Sequence, residues 1–266
     1  MLYNVKEDTL EIAGMSIDYA AFGSGEEAMV MIPGLSLKRV KGTGFTLALM
    51  YRQFTKRFRV YIFDRRKDIP DGYTAEDIAD EVAAAMDALG LKKAYILGVS
   101  QGGMAAQYLA IKHPELIERM VLGVTLSRNN EVLETAVSEW LSLAEKGDID
   151  GLVLSTMKYN YPPERLEKFR LIMPGLIKAG RPKDVQSFMR MTKACMTCDT
   201  YDRLGEIKCP VLVIGDRADR IVSPGASEEI AEKLGCELYM TEGYGHGAYE
   251  QAEFNEQVAK FFGVER

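Results

Sequence analysis

The sequence is poor in the residues that several function classes require. Among its 266 residues are two histidines, His113 and His246, and four cysteines, Cys195, Cys198, Cys209 and Cys236. The cysteines are too few and too scattered for a disulfide framework in a chain of this size. Cys195 and Cys198 have C-x-x-C spacing, but without a second such pair they read as buried helix thiols rather than a zinc or redox site. No metal or other cofactor is implied. No apolar run reaches membrane-spanning length, and residues 1–8 lack a basic stretch followed by an apolar one, so no signal peptide is expected. A reducing cytoplasm is the expected location. A net charge of -6 and a pI near 5.2 leave no basic excess, which disfavours nucleic acid and anionic lipid as partners. Two short basic clusters, Lys38, Arg39 and Lys41 and then Arg65, Arg66 and Lys67, read as solvated surface.

What is present is an ordinary globular composition, 47% hydrophobic and 27% charged, on a chain long enough for a large core. Alternating stretches at 10–13 and 16–21, separated by Gly14, read as a hairpin. Apolar runs at 28–32 and 60–63 read as buried parallel strands. Thr74 and Asp77 form a capping box, and Ile78, Val82, Met86 and Leu89 recur at helical spacing until Gly90 stops the helix. A strand at 94–98, a helix at 101–112 and a strand at 120–124 follow, so strand and helix alternate as in βαβ units. From 129 to 204 the alternation ceases. Helical patterns rich in methionine are broken there at Gly151, Pro162, Pro163, Pro174 and Gly180. Alternation resumes with a strand at 211–214, a helix at 226–234, a strand at 237–240 and a helix at 250–262.

Gly98-Val99-Ser100-Gln101-Gly102 is a G-x-S-x-G pattern placed where a strand turns into a helix. A tight turn that projects a serine hydroxyl on strained backbone needs neighbours without bulk, and Gly98, Gly102 and Gly103 provide them. Serine alone is a weak nucleophile and needs a base held by a third group. His113 ends the helix after Ser100, where a cation suits the helix dipole, and that helix carries it away from the serine. His246, in the glycine-rich loop 243–247 after the last strand, is the expected base. The orienting acid belongs in the loop after the strand at 211–214, where Asp219 is preferred over Asp216 because Ile221 and Val222 can pack its loop onto the sheet. The order Ser100, Asp219, His246 along the chain is the one used by the α/β-hydrolase fold.

These motifs, with Asp219 to Pro224 and Gly245-His246, make the whole chain resemble the α/β-hydrolase superfamily. Within it the chain is similar to the small capped branch of 3-oxoadipate enol-lactonases, haloperoxidase-like esterases and carboxylesterases. The resemblance implies a mostly parallel central sheet flanked by helices, with residues 1–128 and 205–266 as core and 129–204 as a helical cap. It implies oxyanion donors at the backbone N–H groups of Leu35 and Gln101. Pro33 stands where the family commonly has histidine before glycine, which withdraws the usual outer support of that loop, and Ser36 offers a hydroxyl near the substrate. In the cap Trp140, Met157 and Met189 are candidate pocket residues.

The expected activity is acyl transfer to Ser100 and hydrolysis of the acyl-enzyme, on carboxylic esters, lactones or thioesters of small-to-medium apolar acyl groups. The alternatives are a ligand-binding sensor with slow turnover, a carbon-carbon bond hydrolase or a peptidase. A small-molecule substrate is the expected partner, and the chain is expected to be a monomer or homodimer. Strongly anionic substrates are disfavoured by the charge balance, and Arg190, Lys178 and Lys193 are the candidate cations for any that bind.

Overall fold

A computed structural model describes residues 2–264. Strands β1 (Lys6–Ile12), β2 (Met15–Phe22), β3 (Glu27–Ile32), β4 (Phe58–Arg66), β5 (Ala94–Val99), β6 (Ile117–Gly123), β7 (Val211–Asp216) and β8 (Glu237–Thr241) form one sheet in the order β1-β2-β4-β3-β5-β6-β7-β8. The β1–β2 and β2–β4 pairs are antiparallel and the other pairs parallel. This is the α/β-hydrolase fold, with the expected hairpin at one edge.

The alternation of side chains along each strand divides the core between the two faces of the sheet. Val30 and Ile32 face one cluster, with residues of α2 (Ala75–Ala88), α3 (Gln101–Lys112) and α9 (Pro224–Leu234). Met29 and Met31 face the other, with α1 (Gly44–Met50) and α10 (Ala252–Phe261). Phe22, Phe54, Phe58 and Phe262 are all essentially buried in this second cluster, each contributing about 1.5–3 kcal/mol of apolar burial. Thr74 does form the capping box, its side chain accepting from the Asp77 N–H while Asp77 accepts from the Thr74 N–H.

Between β6 and β7 the chain forms α4 (Glu131–Glu145), α5 (Ile149–Asn160), α6 (Pro163–Lys168), α7 (Met173–Gly180) and α8 (Val185–Ala194). Two of the expected breaks are not breaks. Gly151 lies in the first turn of α5, its N–H capped by Asp148, and the chain turns instead at Gly147, at φ 71°. Pro174 sits in the first turn of α7, where the missing N–H costs no helical bond. Helix α1 has no counterpart in the sequence reading, because it begins at a glycine without a side-chain cap. Its residues Phe45, Leu49 and Met50 are exposed, so it lacks an apolar face clearly set against a polar one. Among the described residues no helix is long and apolar enough to cross a membrane.

A very tight backbone contact lies where α3 meets the end of β3: a Cβ on Gly102 would stand 1.9 Å from the Ile32 carbonyl oxygen. Gly102→Ala should therefore cost about 3 kcal/mol through forced backbone movement, which lowers the melting temperature by roughly 6–12 °C. A melting curve by circular dichroism checks this, and an unchanged midpoint would mean that the turn has room to spare.

Candidate active site

Ser100 sits between β5 and α3 at φ 53° and ψ -122°, a conformation that costs a non-glycine residue about 1–3 kcal/mol. Hydrogen bonds on both sides hold it. Its N–H donates to the Gly123 carbonyl at 2.9 Å, and its carbonyl accepts from the N–H groups of Gly103 and Met104 and from the Thr125 hydroxyl at 2.7 Å. A Cβ on Gly98 would meet the Gly102 carbonyl oxygen at 2.6 Å, and one on Gly103 would meet Thr125 at 2.6 Å. The glycines are therefore required by the closeness of the turn, which leaves no room for a Cβ.

His246 lies in the turn 245–250, after β8, and is 3% exposed. Its Nε2 is 2.8 Å from the Ser100 Oγ and its Nδ1 is 2.9 Å from Oδ2 of Asp219. The other carboxylate oxygen of Asp219 accepts from the N–H groups of Ile221 and Val222 at 2.8 and 3.1 Å, so the loop that follows the acid also fixes its orientation. Asp216 is fully buried and does not contact the imidazole. It accepts from the N–H groups of Ala218, Tyr244 and Gly245 and from the Thr241 hydroxyl, and so ties the acid loop to the histidine loop. His113 is remote from the site, beside Asp80 and Glu115. A hydroxyl, an imidazole and a carboxylate in line can pass a proton from the first to the second while the third holds the ring.

This chain of hydrogen bonds opens into a cavity of about 390 Å³ between the sheet and the helical insertion. Leu35, Ser36, Trp140 and Met157 line it. Met189 does not. It packs against the main core cluster, because on α8 the face toward the cavity carries Phe188 and the α8 helix leads on to Cys195, both of which do line it, whereas position 189 is turned about 100° away. Tyr249, Asn160, Phe169 and Leu176 also line it and were not foreseen. Tyr249 was legible in principle, three residues after His246 in the same turn. Trp140 is 4% exposed, and its Nε1–H has no acceptor among the described residues.

The insertion is fastened to the loops that bear Asp219 and His246. Arg220, next to Asp219, donates to the Tyr161 carbonyl at 2.9 Å and also to the Lys158 carbonyl. Tyr161 donates to Glu250 at 2.7 Å, and burial raises the carboxyl of Glu250 above its ordinary value. On the other side Gln101, fully buried, donates to the Met191 carbonyl at 2.6 Å and to the Cys195 Sγ at 3.1 Å, which joins the elbow to α8.

Arg65 is not solvated surface. It is 4% exposed and donates to the Pro33 carbonyl at 2.6 Å, which supports the loop at 33–35. Gly34 lies against the elbow, where a Cβ would be 3.1 Å from the Ser100 Cβ. None of Arg190, Lys178 and Lys193 lines the cavity, and Arg190 pairs with Asp71. The cation that lines it is Lys38. A second cleft, also of about 390 Å³, adjoins the first through Ser36, Leu37, Lys38 and Phe188. Among the described residues no cluster of histidine, cysteine and carboxylate side chains could hold a metal ion.

A strained serine elbow at the C-terminal end of a mostly parallel sheet, with the loops that bear His246 and Asp219 converging on it, is the arrangement of the α/β-hydrolase fold. A family model described as the alpha/beta hydrolase fold matches residues 27–146. A solved α/β hydrolase, MGS-M2 from a Medee basin deep-sea metagenome library, superimposes with a TM-score of 0.86 at 22% identity, covering 97% of this chain and 98% of that one. The enol-lactonase of Burkholderia xenovorans LB400 superimposes with a TM-score of 0.82 at 21% identity, covering 96% of this chain and all of that one (100%). In sequence, the protein named "Putative carbamate hydrolase RutD" of Caulobacter sp. strain K31 is 27% identical over 257 residues, which are 91% of this chain and 92% of that one. The chain has the α/β-hydrolase fold, and it is similar in sequence and in structure to proteins named as hydrolases.

Cys195 lines the cavity, yet its burial pushes the thiol up to about 12, more than Arg65 and the Gln101 hydrogen bond bring it down. At about pH 8 only about one thiol in ten thousand is then ionised, and thiolate is the reactive form. Iodoacetamide should leave Cys195 unmodified in the native protein and alkylate it after denaturation, as read by peptide mass spectrometry. Rapid native alkylation would show that the cavity ionises this thiol.

Proposed function

We propose that the protein is a serine hydrolase that cleaves carboxylic esters, lactones or thioesters of small-to-medium apolar acyl groups. The observation that supports this reading is the hydrogen-bonded chain from Ser100 through His246 to Asp219, opening into a cavity lined largely by apolar side chains. The Ser100 Oγ attacks the acyl carbon and its proton passes to His246 Nε2, while Asp219 keeps the Nδ1–H directed at itself. The negative charge on the tetrahedral oxygen is taken by the backbone N–H groups of Leu35 and Gln101, the second at the first turn of α3 where the helix end favours an anion. Collapse expels the leaving group, which takes the proton from His246, and a water activated by the same imidazole releases the acid. Residues 129–204 act in this reading as a cap on a core of 1–128 and 205–266. The four free thiols favour a cytoplasmic setting.

A carbamate is the second reading, favoured by the name of the relatives. Carbamate N–H and C=O groups call for several polar partners in the pocket. The Thr156 hydroxyl and the Asn160 side-chain N–H, however, already donate to the carbonyls of Val153 and Thr156. The apolar lining and the volume favour an acyl chain.

Ser100→Ala should remove essentially all ester hydrolysis with the fold retained, and a fluorophosphonate probe should label Ser100 alone. Wild-type turnover in that variant would end this reading. Asp219→Asn should lower kcat by about 10³–10⁴, whereas Asp216→Asn should lower stability by about 1–3 kcal/mol and reduce kcat far less. The reverse order would move the acid role to Asp216. Across a series of nitrophenyl esters, kcat/KM should rise about fourfold per methylene from acetyl onward while burial continues, then fall before palmitoyl. A maximum at palmitoyl, or ethyl carbamates outrunning every ester, would show that the pocket has been misread.

A further inference from the structure

The two basic clusters of the sequence, separated in the chain, meet in space. The cleft beside the catalytic cavity is lined by Lys38, Arg39, Lys41 and Lys67 from the core and by Arg181 and Lys183 from the insertion. The one acidic side chain among its lining residues is Asp184, whose carboxylate caps α8 by accepting from Ser187. Arg39 is paired with Asp64, Lys41 and Lys67 share Asp18, and Arg181 pairs with Asp150. Lys38 and Lys183 make no ion pair among the described residues. In a chain of net charge -6, two free ammonium groups and four further cations around one concavity form a local field opposite in sign to the protein's own. Lys38 lines both the cleft and the catalytic cavity.

We infer that this cleft binds an anionic group at the far end of the substrate's leaving group, so that the alcohol or thiol released carries a carboxylate or a phosphate. The inference rests on the serine-hydrolase reading for its placement beside Ser100. The apolar part of the cavity, under α4 and α5, takes the acyl chain, and Lys38 stands at the junction where the leaving group passes into the cleft. In the reaction the acyl carbon–sulfur or carbon–oxygen bond breaks, water supplies the replacing oxygen, and the proton returns to the leaving atom. The anionic end is untouched by the chemistry and serves for recognition and steering.

The test uses S-acetyl thioesters of thiols with three to eight carbons that end in hydroxyl, carboxylate or phosphate, so that the reacting bond is constant. The expected result is a kcat/KM at least tenfold higher for an anionic than for the hydroxyl terminus at one or more lengths. That ratio should shrink between low and high salt and fall to near one in the Lys38→Ala/Lys183→Ala double variant. The phosphate and carboxylate arms distinguish the two anions. In parallel, binding of 6-(methylthio)hexyl phosphate and 6-(methylthio)hexan-1-ol, which carry no scissile bond, is measured by calorimetry on the wild-type protein. Tighter binding of the phosphate, abolished in the double variant, upholds the site even if no thioester is turned over, in which case the hydrolase reading falls alone. Equal binding and equal turnover at every length, or an anion preference that survives the double substitution, overturns the site.

Discussion

Holding Ser100 at φ 53° costs about 1–3 kcal/mol, and the rest of the site is arranged around that one residue. Its N–H and carbonyl are taken by Gly123, Gly103, Met104 and Thr125, bonds each contributing about 0.5–1.5 kcal/mol. The strain is thus offset by contacts from β6 and from the first turn of α3, and the hydroxyl is left free of any structural duty. Because β5 lies between β3 and β6 in the sheet, loops from both neighbours can reach the elbow. Gly34, from the loop after β3, and Thr125, from the loop after β6, pack directly on it.

The second constraint is that His246 comes from the end of a strand two places away from β6 in the sheet, and must still reach the serine. Two aspartates share that task. Asp216, at the end of β7, gathers the N–H groups of Tyr244 and Gly245 and the hydroxyl of Thr241, which sets the course of the histidine loop. Asp219, three residues on, meets the ring itself. A buried carboxylate that accepts several N–H groups is well compensated for its loss of water. The insertion adds a third hold through Arg220 and the Tyr161–Glu250 pair, so a movement of α5 would be felt at the loops of both Asp219 and His246.

Most of this was legible in the sequence, for a physical reason. Parallel strands buried on both faces read as continuous apolar runs, α2 carried a true capping box, and a serine among glycines at a strand-to-helix junction has few other uses. Helix α1 was not legible because it has neither a cap nor a clear polar face. Met189 was misplaced because a methionine in a helical segment shows nothing of the direction in which it points, and its neighbour Phe188 takes the cavity face instead. Arg65 looked like one more surface cation. Only the fold reveals that it is buried and bonded to the Pro33 carbonyl.

Net charge was the least informative of the sequence quantities for substrate preference. A total of -6 governs solubility and long-range behaviour, but screening confines each exposed charge to about 10 Å at ordinary ionic strength. What a substrate meets at the mouth of the site is therefore set by the side chains within that distance. Those include Lys38 and Lys183, which have no ion pair among the described residues, and Arg39, Lys41, Lys67 and Arg181, whose charges are offset in part by Asp64, Asp18 and Asp150. Acidic residues farther away on the surface cannot cancel what remains of that field. They make it selective, since an anion is repelled by most of the molecule and attracted where the cleft adjoins the catalytic cavity. Acidity of the whole chain is thus consistent with an anion-reading site, and it sharpens the contrast on which such a site depends.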